Sequence, residues 1–170
     1  MSETETRSIF VTGLRNAHAM ENQALSMIKP HLTRIENYPE VAAQLDKHFR
    51  ETEAQITRLE EILQSLGEDH STLKDMALSA VGSMAAMGHT VADDEILKNS
   101  FANFAFENFE IAAYKSLLTV AELGGFPSAS AALQANLSEK QAMAAWLDAN
   151  LRAVTIKFAS LREAGESAKI

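Results

Sequence analysis

The chain has 170 residues, 46% of them hydrophobic, with 23 acidic against 15 basic side chains, a formal net charge of -8 and a pI near 5.1. The length fits one domain with its own core, and the acidic balance excludes nucleic acid and anionic membrane as partners, because both are bound through clustered Lys and Arg. With no cysteine, disulfides, thiolate zinc sites, iron–sulfur clusters and cysteine nucleophiles are excluded together, so a metal would have to be held by oxygen and imidazole.

Only 3 prolines and 7 glycines, with Ala, Leu, Glu and Met prominent, favour helix over strand, and the expected class is all-α. The start, MSETETRSIF, is acidic and polar, unlike a secretory leader, and no apolar run reaches membrane-spanning length. The expectation is a soluble, cytoplasmic protein of one domain over residues 1–170, with its core within about 4–164.

Taken in order, the first long helix is predicted over residues 4–35, with Phe10, Leu14, Ala17, Met20, Glu21, Ala24, Ile28 and Leu32 on one stripe and a kink at Pro30. Asn37-Tyr38-Pro39-Glu40 reads as a turn and helix start. The second helix, to residue 66, carries Val41, Leu45, His48, Thr52, Ile56, Leu59 and Leu63 and stops at Gly67. Residues 67–92 are too long for an up-and-down connection. They predict a crossover that sets helix three parallel to helix two, with a short helix at 73–87. Helix three runs from about 93 to Gly124-Gly125 with Leu97, Phe101, Phe104, Glu107, Glu110, Ile111, Tyr114 and Leu118. Residues 128–137 read either as a separate turn or as the beginning of helix four, since Ser138-Glu139-Lys140-Gln141 also fits a capping box. Helix four continues to about 164.

The chemistry lies in carboxylates placed on these stripes. Glu21, Glu51, Glu107 and Glu110 point where their stripes point, toward the core, where ionised carboxylates repel one another unless protonated or met by a cation. His18-Ala-Met-Glu21, His48-Phe-Arg-Glu51 and Glu107-Asn-Phe-Glu110 share a three-residue spacing that puts both members on one helix face. Glu139 could close the set from helix four. Convergence of carboxylates from four helices with imidazole is how ferritin-like bundles hold two iron or manganese ions. His48 reads equally as a ligand and as a core histidine bonded to a carboxylate. His18 could orient Glu21 and Tyr114 could hydrogen-bond a ligand, although an ordinary buried tyrosine does the same. Met76, Met84, Met87 and Trp146 read as packing, and His31, His70 and His89 are given no role.

The segments LRNAHAMENQ, RIENYPE, KHFRETEAQITRLE and FENFEIAAYKSLL resemble the YciE branch of the bacterial YciE/YciF family of stress-associated, ferritin-like proteins, over about residues 9–161. The resemblance implies a ferritin-like four-helix bundle with a long crossover and extra short helices, a homodimer, and a di-metal centre. Carried over by position, the family's motifs fall on Glu21, His48, Glu51, Glu107, Glu110 and Glu139. Two iron ions, or manganese in their place, reacting with dioxygen or peroxide, are the expected cofactor chemistry. The chain departs from the pattern in having His48 before Glu51, no histidine on helix four, Asn108 beside Glu107, and Lys140 where a second acid is common. A non-enzymatic helical dimer, its inward glutamates protonated or paired with Lys140 and histidines, is the alternative, binding a protein partner through an exposed apolar face.

Overall fold

The computed structural model describes residues 3–68 and 92–170, and among these described residues there are four helices: α1 (Glu3–Leu32), α2 (Pro39–Ser65), α3 (Glu95–Leu123) and α4 (Pro127–Glu163). No strand occurs among the described residues. The short helix expected at 73–87, and with it His70, Met76, Met84, Met87 and His89, lies outside them.

The helix stops follow from local chemistry. Pro30 sits in the last turn of α1, which ends at Leu32 rather than at 35, and Arg34 and Ile35 both donate to the His31 carbonyl. Gly67 and Gly125 adopt φ of +76° and +69°, the left-handed turn that glycine enters without a Cβ penalty. Past them, Glu68 N–H reaches back to the Leu63 carbonyl and Phe126 N–H to that of Ala121, satisfying carbonyls the helices leave open. Pro127 then opens α4 at its first turn, where no amide donor is needed. The question left open over 128–137 is answered here: α4 is continuous, and Ser138 Oγ bonds the Gln134 carbonyl one turn back instead of capping a new start.

The core has two apolar layers. One holds Phe10, Leu14, Leu59, Leu63, Leu117, Ala121, Ala129 and Leu133; the other holds Ile28, Tyr38, Val41, Leu45, Ile96, Met143, Leu147 and Val154. These memberships give the topology: α1 and α4 run from the first layer to the second, α2 and α3 run back, so the two helices joined by the crossover are parallel, as expected. α3 packs on α1 and α4, and α2 packs on the same two, leaving α1 diagonal to α4 and α2 diagonal to α3. Each fully buried Leu or Phe contributes about 1.5–3 kcal/mol of transfer free energy.

The tail after α4 ties the far end. Tyr38 Oη donates to the Ala168 carbonyl at 2.7 Å, Ile96 N–H to the Lys169 carbonyl at 2.9 Å, and Asn37 Nδ2 to the Ser167 and Ile170 carbonyls. The first amides of α3 lack intrahelical partners, so the tail supplies one. Glu95, buried at the same end, is paired with Arg34 and lies 3.6 Å from Lys169. One expectation fails on α3. Phe101 was placed on the inward stripe, yet it is exposed, because the buried line is Ile96, Asn99, Asn103, Glu107, Glu110, Tyr114, Leu117 and Ala121.

Candidate functional site: a buried carboxylate cluster

Between the two apolar layers every helix turns polar. α1 brings Glu21, α2 brings His48, Thr52 and Gln55, α3 brings Asn103, Glu107 and Glu110, and α4 brings Asn136 and Lys140, all of them buried. Each sits at helical spacing from apolar core neighbours, so it is aimed inward by the same periodicity that builds the core.

The centre of the layer is an ammonium. Lys140 Nζ lies 2.7 Å from Glu21 Oε2 and 2.9 Å from Glu110 Oε1, and all three side chains are 0% exposed. Across the layer His48 Nε2 is 2.7 Å from Glu107 Oε1, while its Nδ1 is 3.9 Å from Glu51 Oε2. Tyr114 Oη donates to Glu21 Oε1 at 2.5 Å and accepts from Asn136 Nδ2 at 3.0 Å. From there a chain of bonds leads outward: Arg58 Nη1 donates to Asn136 Oδ1 at 2.7 Å, and Arg58 grips both oxygens of Glu139 at 2.8 Å. Gln55 Nε2 adds a bond to Glu139 at 2.9 Å.

These contacts set the protonation. Burial pushes the Glu110 carboxyl well above the usual carboxylate range; Lys140 opposes the rise, and Glu21 and Glu107 reinforce it. For Lys140 burial acts first and favours the neutral amine, but the carboxylates of Glu21, Glu110 and Glu107 outweigh it and the ammonium is held more firmly than in water. Burial, with the Glu21 charge beside it, raises the Tyr114 phenol, so its proton stays in place. Glu139 is also raised by burial, yet the Arg58 and Gln55 bonds win and leave it below the usual range.

The structure thus brings Glu21, Glu107, Glu110 and His48 into one layer and sends the other expected ligands elsewhere. Glu139 faces Arg58. Glu51 is half-buried at the rim, 3.1 Å from Lys47 Nζ. His18 is buried, but its Nε2 faces Glu60 at 3.0 Å rather than Glu21. Tyr114 touches Glu21 directly. Against a two-ion centre the fit is poor: a cation already bridges Glu21 and Glu110, the α4 carboxylate is engaged outside, and among the described residues no three His, Cys, Asp or Glu side chains are arranged to hold an ion. Buried atoms without a hydrogen bond do remain: Glu21 Oε2, Glu107 Oε2, both oxygens of Glu110, both ring nitrogens of His48 and Lys140 Nζ, the last held by ion-pair contacts alone.

Gln55 and Arg58 escaped the sequence reading because polar residues beside a stripe are discounted there, and Thr52, placed on its stripe, was given no role. Lys140 carried a readable signal, since it falls three or four residues from Asn136, Leu137, Met143 and Ala144 and seven from Leu133 and Leu147, on one helical stripe.

A second feature lies outside the layer. A groove of about 430 Å³ between α1 and α3 is lined by Ile9, Gly13, Asn16, Met20, Phe109 and Val120 among others, with no charged residue in its walls. Ile9 and Phe109 stand 44% and 60% exposed at its edge. Gly13 shapes the floor, for a Cβ there would come 3.1 Å from Leu117.

The class this defines is an all-α four-helix bundle with a long crossover and a polar layer buried at its waist. The chain belongs to the family described as a domain of unknown function, DUF892, whose profile matches residues 5–160. It is 26% identical over 149 residues to protein YciF of Escherichia coli strain K12, covering 84% of this chain and 87% of that one. Among solved structures it matches a Xanthomonas campestris protein at TM-score 0.79 and 27% identity, covering 94% and 99% of the two chains. A Rhodopseudomonas palustris protein described as a putative structural protein, YcfI, matches at TM-score 0.63 and 26% identity over 84% and 92%. The E. coli stress protein YciF matches at TM-score 0.71 and 23% identity over 86% and 94%, a likeness of fold. No described helix is long and apolar enough to cross a membrane.

Proposed function

We propose that this chain is a non-enzymatic helical module of a stress-associated family, which works by pairing with a second copy through the charge-free face of α1 and α3. The observation that carries the reading is the groove: a face with Ile9 and Phe109 exposed and no charge in its lining, on a chain of net charge -8. Two such copies repel through most of their surfaces, so a face free of like charge is where close approach costs least, and apolar surface of this kind is a mark of association. The YcfI neighbour, described as a putative structural protein, agrees with a role of this sort. The test is sedimentation equilibrium of the wild type beside Phe109→Lys. A wild-type dimer that the substitution dissociates, with helical content intact, is expected. A monomeric wild type would overturn the reading.

The second reading is a carboxylate centre binding two iron or manganese ions and reacting with dioxygen or peroxide. In its favour are the oxygens of Glu107 and Glu110 that lack hydrogen bonds. Glu21, His48, Glu107 and Glu110 would hold the ions, and the metal would supply oxidant binding and electron transfer. It requires metal retained after desalting, and Glu107→Ala should then lose that metal with the fold kept.

A further inference from the structure

We infer that Lys140 is a built-in counter-cation, its ammonium standing where the converging carboxylates would otherwise call for a divalent ion, so that this bundle closes its waist without metal. The inference concerns the buried layer alone and stands whether or not the outer face forms a dimer.

The geometry supports it from three sides. Nζ meets one carboxylate of α1 and one of α3, at 2.7 and 2.9 Å, and therefore links the same helices that a bridging ion would link. An ammonium delivers its charge through directed N–H donors at hydrogen-bond distance, whereas a metal demands several lone pairs pointed at one centre. Here one oxygen from each of the two carboxylates lies within ion-pair reach of Nζ. Neighbouring groups lie close by or are engaged: His48 Nε2 is 2.7 Å from Glu107 Oε1, Tyr114 Oη donates to Glu21, and Glu139, next in sequence to Lys140, accepts from Arg58 and Gln55. That last contact follows from helix geometry. Adjacent residues on α4 diverge by about 100°, so a lysine aimed at the centre turns the preceding glutamate to the rim, and the α4 acid cannot serve as a ligand while Lys140 holds its rotamer.

A divalent ion entering this site would face the ammonium at contact range in a low-dielectric layer, where like charges repel far more than in water. Lys140 has no route to solvent without leaving Glu21 and Glu110 unpaired, since its whole side chain is inside. The layer therefore discriminates by occupancy. The physical consequence is a fold indifferent to chelators and to iron supply, in contrast with a bundle whose buried acids need a metal for neutrality.

The experiment uses the full chain without a histidine tag, anaerobic Fe(II) and Mn(II) as the probes, elemental analysis after desalting, and thermal melts. The wild type is expected to retain neither ion and to melt at the same temperature with EDTA, Mn(II) or Fe(II). Lys140→Met should melt well below the wild type, because Glu21 and Glu110 are left buried without a cation. Lys140→Glu should be less stable still without metal, then take up Mn(II) and rise by about 5 °C or more when the ion is at roughly 100 times its Kd. Wild-type protein that keeps one or two ions per chain and melts higher with them overturns the inference. So does Lys140→Met melting with the wild type, and so does a folded Lys140→Glu chain that takes up neither ion. If Lys140→Glu does not fold, the wild-type metal titration and Lys140→Met decide alone.

Discussion

Replacing Tyr114 by Phe removes one oxygen from the waist and almost no volume, so the change isolates the polar layer from the packing around it. Two bonds are lost. The phenol donates at 2.5 Å to Glu21 and accepts at 3.0 Å from Asn136, and the ring is fully buried. A hydrogen bond to a charged acceptor is worth about 1.5–3 kcal/mol, and a neutral one about 1 kcal/mol. Water cannot replace the donor, because Glu21 is fully buried, and Asn136 Nδ2 is left only the Gln55 carbonyl at 3.4 Å. The sum is a loss of about 3 kcal/mol, or roughly 6–12 °C in Tm for a chain of this size. Urea unfolding followed by far-UV circular dichroism measures it, with an unchanged m-value marking a shift in stability rather than in compactness. A loss below about 1 kcal/mol at constant m would show that Glu21 is satisfied by Lys140 alone and that the bond to Tyr114 is incidental.

Further predictions concern the rim, the tail and the protonation of the layer. Tyr38→Phe gives up a bond to a neutral carbonyl, so it should cost only about 1 kcal/mol, and hydrogen exchange should quicken at the Ile96 amide while the middle of α3 keeps its protection. Glu139 is held below its ordinary range, so its pairing stabilises the fold above the unfolded carboxylate pKa of about 4.3 and is lost as pH falls through the folded value. Arg58→Met should flatten that acid limb; parallel pH–stability curves for the two proteins would refute the assignment. Glu110 has the opposite sign. Its folded pKa is raised, so its contribution is whole below about pH 4.3 and declines as pH climbs toward the folded value, the unfolded carboxyl having ionised first. In Glu110→Gln the side chain cannot ionise, and stability should decline less over that interval; equal slopes would show that Glu110 is ionised in the folded protein.

How far the sequence could be read depended on what each residue was doing. Helix stops were legible because Gly67, Gly125 and Pro127 act through their own backbone. The crossover was legible from the length of 67–92 alone, as parallel neighbours need a long link. Glu21, Glu107 and Glu110 were legible as inward acids, since periodicity aims a side chain whatever its chemistry. Phe101 misled for the converse reason. On α3 the inward line carries Asn99, Asn103, Glu107 and Glu110, while Phe101 and Phe109 look outward, so hydrophobicity assigned the wrong face to a helix that buries polar residues through its middle. Lys140 and the histidines could be named as partners of the inward acids, but which acid meets which, and the partner of Glu139, was beyond reach. Nothing local distinguishes a Glu139 that closes a metal site from one that meets Arg58 from 81 residues away, because such pairings are settled by how helices stack.

The waist layer also accounts for the register of the bundle, which apolar packing alone specifies weakly. Leucine and alanine stripes can slide by a turn and still bury similar area, whereas a shift of α4 by one turn, about 5.4 Å, would carry Lys140 away from Glu21 and Glu110 and into an apolar layer. The neighbouring pairs act in the same sense. Lys140–Glu21 joins the diagonal helices α4 and α1, and His48–Glu107 joins the other diagonal, α2 and α3, pairs that share little direct packing. Breaking Lys140–Glu21 leaves a buried charge without its partner, a penalty of about 3–5 kcal/mol that every slipped arrangement incurs and the native one avoids, and breaking His48–Glu107 parts two buried polar side chains. A layer of paired polar side chains at mid-height thus fixes both diagonals at once, which gives the bundle a physical reason to keep glutamates in its core.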